Sequence, residues 1–248
     1  MKQYLQKILP RLKQFSEDLS RKEIFIDKSW VLIDEESELH RYIFKRDGQL
    51  IMSKNGIVQV GKWEYLTEAK SLLIDRNVDK ILLNQDFFDS AVMLLKKDGD
   101  SNFFILANDS IIKDLDVVSY MKQLYRTKNN VFTLELETGN ELELLGSNRA
   151  FIGMKVFIEG ESAQTNIYTN KSGAFKYYVE NGQIVKIIER TIYKTKQGSL
   201  IIEQERDKVA KEGNLAFIHE EKAEGKFNIG LFTKAHIENG VIRKISAF

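Results

Sequence analysis

KYYVENGQIVKI, Lys176 to Ile187, returns fifty-eight residues later as KAHIENGVIRKI, Lys234 to Ile245. In both stretches an Asn-Gly pair separates two runs suited to strands. Asn and Gly accept the positive φ of a two-residue turn, so each stretch reads as a hairpin, turning at Asn181-Gly182 or Asn239-Gly240. Ile184 and Ile187 alternate with Val185 and Lys186, and Ile242 and Ile245 take the matching places in the second stretch. That pattern fits a half-buried antiparallel pair.

The correspondence extends upstream. GMKVFIEGESA from Gly153 answers GNLAFIHEEKA from Gly213, an offset of sixty. LETGNELELL from Leu136 answers TKQGSLIIEQ from Thr195, an offset of fifty-nine. Offsets that drift so little mark a tandem duplication with small insertions. The C-terminal half is therefore expected to be two tandem small all-β modules, 131–190 and 191–248, with one strand order. Each opens on a hairpin turning at Gly139 or Gly198, continues through an apolar strand at Phe157 or Phe217 and a further strand, and closes on the Asn-Gly hairpin.

The N-terminal part, 1–128, carries a different pattern. From Trp30 eight short apolar runs follow one another: WVLID, RYIFKRD, LIMSK, IVQVGKWEYL, SLLIDR, KILLNQ, AVMLLKK and NFFILAN. Asp47-Gly48, Asn55-Gly56 and Asp98-Gly99 supply tight turns between some of them. Eight strands joined by short loops suggest an antiparallel meander, and closing it into a barrel removes its exposed edges. The first twenty residues read as an amphipathic helix with the stripe Leu5, Ile8, Leu9, Leu12, Phe15 and Leu19, which Pro10 should kink or restart. A second helix is expected after the strands, capped by Asp114 and burying Leu115, Val118, Met121 and Tyr125, with Arg126 to Asn130 as a polar linker. The fold class is mainly β: a helix, an eight-stranded barrel, a helix, and two repeat modules.

Residues 28–108 resemble a bacterial lipocalin-like domain, a small relative of the calycin barrels. The likeness rests on SWVLI at Ser29, YIFKRDG at Tyr42, GKWEYL at Gly61, SLLI at Ser71 and VMLLKKDG at Val92, and on the helix that follows. It implies that some of the aromatic residues Trp30, Tyr42, Phe44, Trp63, Tyr65, Phe103 and Phe104 point into the barrel. Trp30, Tyr42, Phe44, Trp63, Tyr65 and Phe104 would then be ligand-binding candidates if the interior is hollow, and filling if it is tight. The closing stretch AEGKFNIGLFTKAHIENGVIRKI from Ala223 is similar to a small β module common at the ends of bacterial and phage proteins, a likeness that carries no activity.

Composition narrows the function classes. The chain has 37 basic and 36 acidic residues, so it lacks the basic excess of a nucleic-acid binder. It contains no cysteine, which rules out disulfides and thiol catalysis and fits a reducing compartment. No segment approaches the roughly 18 apolar residues of a membrane span, and a cytoplasmic protein without membrane contact is expected. His40, His219 and His236 show no ligand spacing, so no metal or cofactor is expected. The acidic runs Asp34 to Ser37 and Glu135, Glu137, Glu141 and Glu143 read as solvent-facing, and no nucleophile or phosphate-loop motif appears.

The leading expectation is thus a non-enzymatic binding or scaffold protein with a protein partner or self-association. A carrier or sensor of a small apolar ligand in the barrel competes with it, and an enzyme with an unmarked site comes third. A large exposed apolar patch on the repeats would favour the first. An apolar cavity with one or two polar groups would favour the second.

Overall fold

The computed structural model describes residues 2–33, 39–100 and 102–247 and divides into two compact units, Met1–Asn129 and Asn130–Phe248. The acidic run 34–37 lies outside the described residues.

The first unit holds helix α1 (Lys2–Leu12), strands β1 (Ser29–Ile33), β2 (His40–Phe44), β3 (Gln49–Lys54), β4 (Ile57–Leu66), β5 (Ser71–Asp75), β6 (Lys80–Phe88), β7 (Val92–Lys97) and β8 (Phe103–Asn108), and helix α2 (Val117–Lys128). All eight expected strands form. They make an antiparallel meander closed into a barrel, because β1 pairs with both β2 and β8. Of the three turn dipeptides only Asn55-Gly56 has positive φ at both residues. At Asp47-Gly48 and Asp98-Gly99 only the glycine does, which gives a longer loop rather than a two-residue turn.

The ends of the helices differ from expectation. α1 runs through Pro10 and stops at Leu12, so Leu19 is buried outside it. Leu19, Phe25 and Ile26 instead join the barrel core. Hydrogen bonds hold this segment to β6: Glu17 N–H donates to Phe88 O at 2.7 Å, and Leu19 N–H donates to Gln85 Oε1 at 3.1 Å. The cap of α2 is Asp116 and not Asp114, since Asp116 Oδ1 accepts from Ser119 N–H at 3.0 Å. Leu115, at φ 59°, stands outside the helix, and Val118 is half-buried, so Val117, Met121 and Tyr125 make the buried stripe. The expected linker is partly helix, with α2 extending to Lys128. The two helices meet where Arg11 Nη1 donates to Tyr125 OH at 2.7 Å.

The second unit is all β: β9 (Val131–Glu135), β10 (Glu141–Leu145), β11 (Val156–Ile158), β12 (Glu161–Ser162), β13 (Asn166–Thr169), β14 (Phe175–Glu180), β15 (Gln183–Thr195), β16 (Gly198–Glu205), β17 (Leu215–Ile218), β18 (Glu221–Lys222), β19 (Gly225–Gly230), β20 (Thr233–Glu238) and β21 (Val241–Ala247). Antiparallel pairs run in the same sequence in both halves. β9–β10, β10–β11, β11–β12, β13–β14 and β14–β15 are answered by β15–β16, β16–β17, β17–β18, β19–β20 and β20–β21. No linker separates the halves: residue 190 lies inside β15, which closes the first hairpin and opens the next pair. Each half has its own apolar cluster, one around Leu144, Val156 and Val179, the other around Ile202, Ala216 and Ile237.

Two local expectations need correction. The Ile184/Ile187 spacing is not simple alternation, because pairing jumps from Tyr178↔Lys186 to Val179↔Ile184 and leaves Val185 as the extra residue of a bulge. Arg243 is bulged in the same way in the second half. Glu143 does not face solvent either. It is 2% exposed, and its Oε2 accepts from Gly160 N–H at 3.3 Å.

Candidate functional site

The six aromatic candidates come together inside the barrel. Trp30, Tyr42, Phe44, Trp63, Tyr65 and Phe104 are each at most 8% exposed and share one core cluster. Phe25 stands edge-on to Phe44 at 5.4 Å and to Trp63 at 5.3 Å, while Tyr42 meets Phe104 at 5.9 Å. These separations are those of packed rings. Both indole N–H groups serve the fold: Trp30 donates to Phe25 O at 3.0 Å, and Trp63 donates to Lys45 O at 2.8 Å. Burial raises the Tyr65 pKa, and nearby Asp18 raises it further. Phe103 is half-buried, with the Lys96 ammonium 4.8 Å from its ring centre. Tyr42 and Met52 also border a cavity of about 410 Å³ lined by Ile57, Arg76 and Val78.

The histidines do not converge. His40 belongs to β2, His219 is exposed in a turn, and His236 in β20 has its Nε2 3.3 Å from Ser246 Oγ. Among the described residues no group of three or more His, Asp or Glu side chains is arranged to hold a metal ion.

An exposed apolar surface with a concave shape lies in the second unit. A groove of about 690 Å³ runs between the loop after β10, the bulge of β15 and the segment after β16. Phe151, Ile152 and Val185, on its walls, are 54%, 66% and 41% exposed. Arg149 Nη2 lies 3.2 Å from both carboxylate oxygens of Asp207, and Arg206 Nη1 donates to Ala150 O at 2.8 Å.

The duplicated loop provides an internal control. Gly153 and Gly213 have φ 90° and 88°, and their N–H groups donate to Ile184 O at 2.7 Å and Ile242 O at 2.8 Å. One residue on, Met154 N–H bonds to Phe151 O and Asn214 N–H to Lys211 O, both at 3.2 Å. The backbone makes the same bonds at these residues, yet Phe151 and Ile152 correspond to Lys211 and Glu212. Val185, on the bulge, corresponds to Arg243. One copy of this fold therefore accepts charge at all three positions, so the fold does not require the apolar side chains of the other.

Sequence reasoning passed over Phe151, Ile152 and Val185. The signal was available in the paired copies, as AFIGM against AKEGN at 150–154 and 210–214. The chain matches no family model, no curated protein and no solved structure.

Proposed function

We propose that this is a non-enzymatic cytoplasmic binding or scaffold protein that engages a protein partner through the groove of its C-terminal unit. The observation that carries the proposal is the exposure of Phe151, Ile152 and Val185 at positions where the duplicate copy has Lys211, Glu212 and Arg243. Exposed apolar side chains that the fold does not need are a cost without a partner and a gain with one. Fully burying a large apolar side chain is worth about 1.5–3 kcal/mol. Three side chains covered from about half exposure would contribute roughly 3 kcal/mol, enough to set the affinity of a modest complex.

A carrier of a small apolar ligand is the competing reading, and the likeness to lipocalin-like domains is what suggests it. The ring-to-ring packing around Phe25 counts against it, because the candidate residues already occupy one another's space.

The test is capture from the native host with the tagged full chain, followed by mass spectrometry, beside Phe151→Lys/Ile152→Glu/Val185→Arg. A protein that comes down with the wild type and not with this variant supports the proposal. Failure of the wild type to retain any protein contradicts it. A His40→Ala/His219→Ala/His236→Ala variant should capture the partner and keep biological activity. Loss of activity in that variant, with folding and capture unchanged, points to an enzyme instead.

A further inference from the structure

We propose that the occupant of the groove is an acidic segment of the partner protein that carries an apolar anchor. This deepens the protein-binding proposal and depends on it. Four cations line the groove, Arg149, Lys186, Arg206 and Lys208, against two carboxylates, Glu205 and Asp207. Both carboxylates are already engaged, Asp207 by Arg149 at 3.2 Å and Glu205 by Lys211 at 3.4 Å. Among the described residues no carboxylate lies within ion-pair distance of Lys186, Arg206 or Lys208.

Two of these cations are held in place by rings. The Arg206 guanidinium lies 5.1 Å from the Phe175 ring centre, and the Lys186 ammonium 5.4 Å from that of Tyr178. Cation–π contacts orient the charges and leave their outward donors available. Apolar walls beside unmatched positive charge fit a ligand that is apolar at its anchor and negative around it. A chain of net charge +1 does not require this local excess.

A second copy of this chain is a poor occupant. Its most exposed apolar pair is Leu231-Phe232, at 88% and 69%, on the turn between β19 and β20. The stretch Gly225 to Ile237 around that pair contains no Asp or Glu, so it does not supply the negative charge that this groove fits.

The test is peptide display on the full chain, with binding of the enriched peptides then measured by fluorescence polarisation. Enriched sequences should be rich in Asp and Glu around a Phe, Leu or Ile. They should bind at least about ten-fold more weakly to Phe151→Lys/Ile152→Glu/Val185→Arg and to Lys186→Glu/Lys208→Glu, both of which should melt like the wild type. Affinity should fall with added salt, since charges at a surface are screened over about 8 Å at physiological ionic strength. Enrichment of neutral or basic peptides would overturn the inference, as would acidic peptides that bind both variants unchanged. A wild-type dimer in sedimentation that the Phe151 variant abolishes would assign the groove to self-association and also overturn it. Binding to vesicles of anionic lipid that the same variant abolishes would overturn it in favour of a membrane surface. Capture of a native partner through the groove, combined with failure of acidic peptides, would remove this inference and leave the protein-binding proposal standing.

Discussion

Gly61 is fixed by crowding. A Cβ there would stand 2.2 Å from Asp75 O and 3.0 Å from Met52 Cε, so β4 and β5 can approach only with a hydrogen in that place. Gly61→Ala should destabilise the chain by about 1–3 kcal/mol, the usual range for overpacking a tight site. Urea denaturation followed by tryptophan fluorescence reads this directly, because Trp30 and Trp63 both lie in the barrel. A change below about 0.5 kcal/mol would contradict the close approach. Asp86 makes a second residue-level prediction. It is the extra residue of a bulge in β6, and Lys13 and Lys96 reach it at 2.8 and 3.1 Å. Burial alone would raise its pKa, but the hydrogen bonds and charges of the two lysines outweigh burial and lower it. A carboxylate with a depressed folded pKa contributes stability above its unfolded value, near 3.9, and that contribution disappears as pH falls through the folded value. Asp86→Asn should therefore lower the melting temperature at pH 7, by about 1 kcal/mol equivalent, and the gap from wild type should close in strong acid. A gap that is unchanged between neutral and acid pH would exclude the ion pairs as its source.

The eight barrel strands were legible because each is a short apolar run with a break on either side, and pairing merely joined them in order. Element ends were less legible for local reasons. Asp114 and Asp116 are equally good caps on paper, and the choice fell to Asp116 because Leu115 adopts positive φ just before it. The bulges at Val185 and Arg243 leave no mark in composition, yet both residues are exposed there, and Val185 forms one wall of the groove. The repeated strand order was readable from the matching turns. That β15 would serve both halves without a break was not, because a strand shared between units carries the same alternation as two strands placed end to end. A chain cut between 190 and 191 should consequently fail to give two folded halves, since Ile188 and Glu189 pair with β14 on one side and β16 on the other. Cooperative unfolding of both fragments by circular dichroism would contradict this. The triple change Phe151→Lys/Ile152→Glu/Val185→Arg should by contrast leave stability within about 0.5 kcal/mol of wild type, as surface substitutions do.

The barrel unit 1–129 and the β unit 130–248 have separate cores, so the fragment 1–129 should fold alone and keep the tryptophan emission of the whole chain. Red-shifted emission from that fragment would mean that the barrel depends on the rest of the chain. The place of the candidate groove was only partly visible in the sequence. Aromatic residues drew attention to the barrel, where Phe44 and Trp63 pack edge-on against Phe25, while the exposed apolar wall around Phe151 stood in a stretch with no motif. What marks that wall is the comparison of two copies of one fold that differ in the charge of three positions. The most direct measurement is the affinity of the partner captured from the native host for the full chain and for Phe151→Lys/Ile152→Glu/Val185→Arg, by isothermal titration. Affinity should fall at least about ten-fold in the variant, with both proteins melting alike. Equal affinity for the two proteins would contradict binding through the groove.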